Sequence, residues 1–204
     1  MGEDPNFMEE PYIGSISAKQ MELEKEKRKK RKNLMIEIGI YVIAIFFAAV
    51  IVPKFLLQRT IVMGSSMEST LQDGDNLWVE KISYHFDLIK RFDVIVFYPY
   101  GKDKSEYYIK RIIGLPGETV QIIGETIYVN GTPLSENYGK DPITNSGIAE
   151  EQIILAEDEY FVLGDNRSIS KDSRDSQVGP VRKDNIAGRA FLRIWPFSKF
   201  GFFD

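Results

Sequence analysis

Cysteine is absent from the 204 residues of this chain, and histidine occurs once, at His85. The lack of cysteine excludes disulfide frameworks, thiolate zinc sites, iron–sulfur clusters and cysteine nucleophiles. A single histidine excludes a metal site built from several imidazoles. His85 has no serine motif beside it, so we interpret it as a structural residue. The sequence therefore predicts neither a metal nor an organic cofactor.

An excess of positive charge is also missing, because the formal net charge is −4. Nucleic-acid-binding domains usually carry a broad basic surface, so we expect no nucleic-acid partner. Apolar residues make up 43% of the chain and charged residues 27%, which excludes a disordered polyelectrolyte. A chain of this length is expected to form one domain with a short appendage.

One long apolar run is present, from Leu34 to Val52, and Pro53 follows it. A helix needs about 20 apolar residues to cross the bilayer core, and this run meets that length. Its single charge, Glu37, lies near one end, from which a carboxylate can reach the interface. Residues 1–33 form a charged tail that ends in six consecutive cations, Lys27–Lys32.

Two other interpretations of the apolar run fit the sequence less well. A cleaved signal peptide would have a shorter apolar region and small residues at its cleavage site, whereas Pro53–Arg59 follows here. A core helix would have a polar face, which the run lacks. We therefore predict a single-pass anchor over residues 34–52 in a cell membrane. Because cations mark the cytoplasmic side, the tail is expected inside and residues 53–204 outside.

Residues 53–204 are predicted to be mainly β. Short apolar runs bounded by turn residues are typical of strands, and Asn130–Gly131 is a hairpin signal. Residues 134–151 are polar and are predicted to form a long loop. The predicted strands are Thr60–Met63, Asn76–Glu80, Asp93–Phe97, Tyr107–Ile113, Ile127–Thr132, Gln152–Leu155, Tyr160–Leu163 and Ala187–Trp195.

Three polar clusters follow or interrupt these strands. The first, Val62–Asp75, contains the hydroxyl residues Ser65, Ser66, Ser69 and Thr70. Taken alone, it is more typical of a surface turn, where serine and glycine are common for conformational reasons.

The second cluster places Lys110 and Arg111 next to each other in an apolar strand. Neighbouring side chains in a strand point to opposite faces, so one of the two must face the interior or a cleft. A desolvated lysine has a lowered pKa, and its neutral amine can take a proton from a serine hydroxyl. The alternative is an edge strand whose lysine reaches water.

The third cluster, Leu163–Arg174, alternates carboxylates, hydroxyls and cations that suit a hydrogen-bonded loop. It lacks the spacing of a calcium loop, so no calcium site is predicted. Together the clusters supply a nucleophile, a lysine base and a loop that can orient the base. This is the Ser-Lys form of covalent acyl transfer.

The ordered motifs resemble those of type I signal peptidases, in the single-span form of Gram-positive bacteria. The resemblance implies a signal-peptidase/LexA-like β-sheet catalytic domain preceded by one transmembrane helix. It also implies a serine endopeptidase that cuts signal peptides from exported preproteins after small residues of A-x-A type, with Ser66 as nucleophile and Lys110 as general base. The motifs lie in Val62–Leu71, Arg91–Phe97, Tyr108–Gly117 and Gly164–Arg174.

The resemblance implies supporting roles for four further residues. Ser170 would hydrogen-bond and orient Lys110, while Asp172 and Arg174 would pair to brace their loop. Some family members have a serine where this chain has Gly64, so the oxyanion would rest mainly on backbone N–H groups.

Two residues depart from the family pattern: Ser69 replaces a proline and Phe92 replaces a glycine. Neither change removes a reacting group, although the first loosens the turn after the nucleophile. The aromatic segment Trp195–Phe203 and the apolar segment Phe55–Leu57 are interpreted as surfaces for membrane lipid. For Trp195–Phe203, packing in the core fits the sequence equally well.

Three other functions share features with this sequence. A self-cleaving Ser-Lys repressor has a similar core but is soluble, unlike a chain with an anchor. A penicillin-binding acyltransferase would use an S-x-x-K motif, which Ser168–Lys171 matches without the other motifs of that class. A pilus-assembly relative, acting on a dedicated substrate or as a chaperone without activity, is the alternative that stays open.

Overall fold

The computed structural model of the chain describes the backbone of residues 10–83, 86 and 88–203. Side chains are described over the same ranges except residues 10–18 and 51–55. The chain divides into two compact units between Val52 and Pro53. His85, predicted to be a structural residue, lies outside the described residues.

The first unit is helical. Helix α1 spans Glu10–Phe46 and continues as a π-helix over Phe47–Leu56. By length and composition, its segment Lys19–Val50 can cross a membrane, and none of the apolar part of that segment is buried. The helix is therefore not a core helix, which agrees with the prediction of an anchor.

Helical winding does not stop at Pro53, where the sequence had predicted the end of the apolar helix. It continues to Leu56 as π-helix. Proline removes one i→i−4 hydrogen bond, and this bond is already absent where the winding widens to i→i+5.

Antiparallel sheets form the second unit, which confirms the mainly β class. In the described residues, eight strands build a large sheet in the order β1-β2-β11-β3-β4-β9-β10, with β12 paired to β11. Four strands build a smaller sheet in the order β7-β6-β5-β8. The strands are β1 Leu57–Ile61, β2 Asn76–Glu80, β3 Val94–Phe97, β4 Tyr108–Gly114, β5 Thr119–Ile123, β6 Thr126–Val129, β7 Thr132–Pro133, β8 Ile153–Ile154, β9 Glu159–Leu163, β10 Val181–Arg182, β11 Ile186–Trp195 and β12 Gly201–Phe202. Short 3₁₀ helices lie at Gly147–Glu150, Lys183–Asn185 and Phe197–Lys199.

The core explains why β3 is apolar at every position. Val94 and Val96 pack into one buried cluster, whereas Ile95 and Phe97 pack into another. Because side chains alternate across a strand, β3 is covered on both faces. Each fully buried side chain of this size contributes about 1.5–3 kcal/mol, so the centre of the large sheet is a rigid support.

The hairpin signal is confirmed, since β6 and β7 pair around Asn130 and Gly131. Both residues have positive φ, of 51° and 73°, as a two-residue hairpin turn requires. The sequence did not predict β5, β10 or β12. The two-residue strands β10 and β12 are too short to show a periodic pattern.

Phe92, which replaces a family glycine, has φ +74°, in the left-handed region that favours glycine. Its backbone N–H donates to Ile112 O over 2.8 Å, and its side chain packs against the core cluster beneath the smaller sheet. The ring contact therefore offsets an unfavourable backbone conformation.

We predict that Phe92→Gly is more stable than Phe92→Ala by about 1 kcal/mol, because both lose the ring but only glycine adopts a positive φ without cost. Ile123, an exposed residue of β5, is the matched control. There the order should reverse, since glycine weakens a strand. Denaturant unfolding of the four variants tests this, and equal or reversed stabilities at position 92 would contradict it.

Candidate active site

The serine turn, residues 64–70, follows β1 and is fixed to the core at its middle and just after its end. Met67 lies inside it and Leu71 just after it, and both are fully buried. Gly64, with φ +87°, turns the chain, and its N–H donates to the Asp73 carboxylate over 2.7 Å. These contacts leave the half-buried Ser66 facing a cleft.

Lys110 lies in the middle of β4, opposite Ile95 of β3. It is only 4% exposed. Its Nζ donates to Ser66 Oγ over 2.7 Å and to the carbonyl oxygen of Ile109 over 3.0 Å. The strand therefore holds the amine within direct proton-transfer distance of the serine hydroxyl.

Burial lowers the pKa of Lys110 from 10.5 to about 8, although the nearby carboxylates of Asp172 and Asp165 act in the opposite direction. Desolvation prevails because it disfavours the charged amine. About one tenth of the molecules then hold a neutral amine at pH 7, and about half at pH 8. When the amine is neutral, its lone pair accepts the Ser66 proton across the same 2.7 Å.

Arg111 is fully buried and Lys110 nearly so, but the two side chains contact different groups. Its guanidinium donates to both oxygens of Asp165 over 2.8–2.9 Å and to Thr70 Oγ1 over 3.1 Å. Thr70 in turn donates to Asp165. This network joins β4, the serine turn and the Gly164–Arg174 loop. Sequence analysis placed one cation inside but did not predict this network.

The Asp172–Arg174 ion pair is present, with Nε and Oδ1 2.8 Å apart. Asp172 also accepts the N–H of Gly164 over 3.0 Å, and Arg174 donates to the carbonyl oxygen of Arg167 over 2.8 Å. The pair therefore closes the loop on itself through buried, charge-assisted hydrogen bonds.

The expected hydrogen bond between Ser170 and Lys110 is not formed in this structure. Ser170 Oγ is buried and has no partner within the described part of the chain. Instead, the hydroxyl lies against Gly164, where any added side chain would collide with it and with the carbonyl oxygen of Ser66. The orienting role of Ser170 stays a prediction from the resemblance.

Backbone donors are available at the nucleophile. The N–H of Ser66 has no acceptor among the described residues, and its carbonyl oxygen accepts from Asn166 N–H over 3.0 Å. The N–H of Gly64 is occupied by Asp73, and Gly64 has no side chain to offer. The Ser66 N–H is therefore the group at this position that can meet a developing oxyanion.

A cleft of about 400 Å³ opens over Ser66 and Lys110. One wall leads into β4 and the other passes from the end of β1 into the serine turn, and about half of the lining side chains are aliphatic or aromatic. This shape suits an extended peptide with small side chains. The lining residues are Val62–Met67, Ser105–Lys110, Ile169 and Lys171.

The structure does not bring together the residues of two other candidate sites, the S-x-x-K match and a metal site. Lys171 donates to Tyr100 and Gln177 over 2.8–2.9 Å, whereas Ser168 donates to Asn166 and Asp141. The S-x-x-K match therefore does not form a Ser-Lys contact. In the described residues, no group of three or more Asp, Glu or His side chains lies close enough to hold a metal ion.

Comparison with known proteins gives a consistent result. Residues 35–195 match the family model described as signal peptidase, peptidase S26. A signal peptidase I of Leptolyngbya laminosa is 43% identical over 153 residues, which covers 72% of this chain and 73% of that protein. Signal peptidase I P of Bacillus subtilis subsp. natto is 36% identical over 171 residues, which covers 80% and 90%. A crystal structure of a signal peptidase I from Enterococcus faecalis V583 is 34% identical, covering 50% of this chain and 95% of that one, with a TM-score of 0.41.

Proposed function

Because this chain belongs to the signal peptidase family, peptidase S26, we propose that Ser66 and Lys110 are the groups that perform its reaction. The chain is a membrane-anchored serine endopeptidase that cleaves signal peptides. The observation that supports the assignment is the 2.7 Å contact between a buried, weakly basic amine and a serine hydroxyl that faces the cleft.

In the acylation step, the neutral amine of Lys110 takes the Ser66 proton while Oγ forms a bond to the scissile carbonyl carbon. The carbonyl oxygen becomes an oxyanion, which the N–H of Ser66 stabilises. Lys110 then gives its proton to the leaving amine as the peptide bond breaks. In the deacylation step the same amine takes a proton from water as the water oxygen bonds to the ester carbonyl carbon. Lys110 then returns that proton to Ser66 Oγ as the bond between Oγ and the acyl carbon breaks.

The supporting residues act through position rather than chemistry. The Asp172–Arg174 pair fixes the Gly164–Arg174 loop, whose Asn166 N–H holds the carbonyl oxygen of Ser66. Signal peptides are bound extended along the cleft walls, in the manner of an added strand. Small residues of A-x-A type are proposed to precede the cut, as the resemblance implies.

Cleavage of signal peptides is favoured over the pilus-assembly alternative. A chaperone without activity would not need a lysine desolvated beside a serine, an arrangement that destabilises the charged amine. The relatives reported above are signal peptidases I.

The orientation in the membrane is also a proposal. The Lys27–Lys32 cations precede the apolar helix, so residues 1–33 are cytoplasmic, residues 34–52 cross the membrane and residues 53–204 form the extracytoplasmic domain. Trp195, Phe197, Phe200 and Phe202 are 50–78% exposed, which supports contact with lipid for these four, whereas Phe203 packs against a core cluster.

We predict that Ser66→Ala and Lys110→Ala each lower cleavage of a preprotein with an A-x-A site by about 10³-fold or more, because the nucleophile or its base is lost. Ser176→Ala and Lys104→Ala, which alter an exposed serine and an exposed lysine outside the cleft lining, should cleave at the wild-type rate. Purified full-length variants in detergent are assayed by gel shift and product mass. Cleavage that survives Ser66→Ala or Lys110→Ala in a folded variant would contradict the assignment.

We predict the topology from single-cysteine variants, which the cysteine-free chain makes unambiguous. On intact cells, a membrane-impermeant thiol reagent should label Lys102→Cys and leave Glu22→Cys unlabelled. Phe200→Cys should react only after detergent removes the lipid that covers it. Labelling of Glu22→Cys on intact cells would reverse the proposed orientation, and rapid labelling of Phe200→Cys would exclude the lipid contact.

A further inference from the structure

A short extended segment of the long polar loop contacts the back of the site. We name residues 136–140 the strap. Along it, Glu136 and Tyr138 are half-buried while Asn137 and Gly139 are exposed, the alternation typical of extended chain. The side chains of Glu136, Tyr138 and Lys140 each contact a different part of the site. The sequence predicted only a loop here.

One end of the strap is fixed by a buried ion pair. Glu136 lies 2.7 Å from Arg167, and these side chains are only 11% and 2% exposed. Arg167 also donates to the carbonyl oxygen of Gly164 over 2.9 Å. Breaking such a pair would leave a buried charge without a partner, so this end is held to the Gly164–Arg174 loop.

The other end of the strap is fixed mainly through its backbone. The N–H of Lys140 donates to the carbonyl oxygen of Asp165 over 2.7 Å. Lys140 Nζ also lies 3.0 Å from the carboxylate of Glu68, in the serine turn. Both of these side chains are more than a third exposed, so the ion pair adds little and the backbone bond is the firmer attachment.

Between these ends, the ring of Tyr138 covers Arg111. The guanidinium carbon lies 3.7 Å from the ring centroid. Arg111 already donates to Asp165, Thr70 and the carbonyl oxygen of Phe92, so its face is free for stacking while its edges are engaged. The ring of Phe92 packs against the Tyr138 ring, with the two ring centroids 5.1 Å apart.

We propose that Tyr138 is a positioning residue for Ser66, which rests on the function proposed above. Its ring holds Arg111, and Arg111 holds Thr70 and Asp165. The next residue of the loop, Asn166, then fixes the carbonyl oxygen of Ser66 over 3.0 Å. Catalysis by proton transfer needs the hydroxyl to stay within hydrogen-bond reach of the base, so loss of the ring lowers kcat. Tyr138 does not line the cleft over Ser66, so KM is unaffected.

Three variants of the full-length chain test the proposal. Tyr138→Leu removes the ring and is expected to lower kcat about 3- to 30-fold with KM within twofold of wild type, the range expected for loss of one cation–π contact. Tyr138→Phe keeps the ring and should match wild type, since the Tyr138 hydroxyl has no hydrogen bond in the described part of the chain. Tyr128→Leu removes a half-buried tyrosine of β6, outside the strap and the cleft, and should also match wild type.

Active sites are counted with a serine-acylating inhibitor, and kcat is measured well below the melting temperature of each variant. Loss of kcat per titrated site in Tyr138→Leu alone is the expected result. The proposal would be overturned if Tyr128→Leu lost as much kcat as Tyr138→Leu, or if Tyr138→Leu changed KM but not kcat. It would also be overturned if fewer titrated sites explained the whole loss of activity. If Tyr138→Leu does not fold, Tyr138→Met, whose flexible side chain fills the gap, replaces it with the same outcomes. Cleavage by wild type but not by Ser66→Ala must be established first. If that control fails, the proposed function is wrong, and if it holds, the Tyr138 variants test this proposal alone.

Discussion

The contact between the buried amine of Lys110 and the hydroxyl of Ser66 is the interaction on which the remaining architecture depends. Two carboxylates, Asp165 and Asp172, lie close enough to raise the pKa of that amine. Neither carboxylate pairs with Lys110, because each is bound by an arginine and by a further hydrogen-bond donor. With both carboxylates engaged, the amine has no ion-pair partner in the described residues, and burial lowers its pKa to about 8. The arginine pairs thus serve the reaction by leaving the lysine unpaired.

Much of this could be predicted because it follows from local rules. Alternation across a strand required one of Lys110 and Arg111 to face inward, and apolar runs located most of the strands of the large sheet. Ser66 was selected over Ser65 only by the resemblance, since both are small polar residues in the same turn. The structure places Ser66, rather than its neighbour, at hydrogen-bond distance from the lysine.

Contacts between residues far apart in the sequence could not be predicted. Nothing in the composition of residues 134–151 distinguishes a solvent-exposed loop from one whose tyrosine stacks on a buried arginine. Both cations of β4 are buried, because Arg111 finds its carboxylate 54 residues away, at Asp165. The pattern of a single strand contains no information about such a partner. Ser170 shows the reverse, since the hydrogen bond to Lys110 that the resemblance implied is not formed in this structure.

The pH dependence of kcat/KM for cleavage of a preprotein, whose cut site has no titratable side chain, tests the central claim most directly. The protonated amine cannot act as a base, so the rate should rise about tenfold per pH unit below pH 8 and level off above it, where Lys110 becomes mostly neutral. A rate that is flat from pH 6, or that still rises through pH 10, would contradict a desolvated lysine as the base.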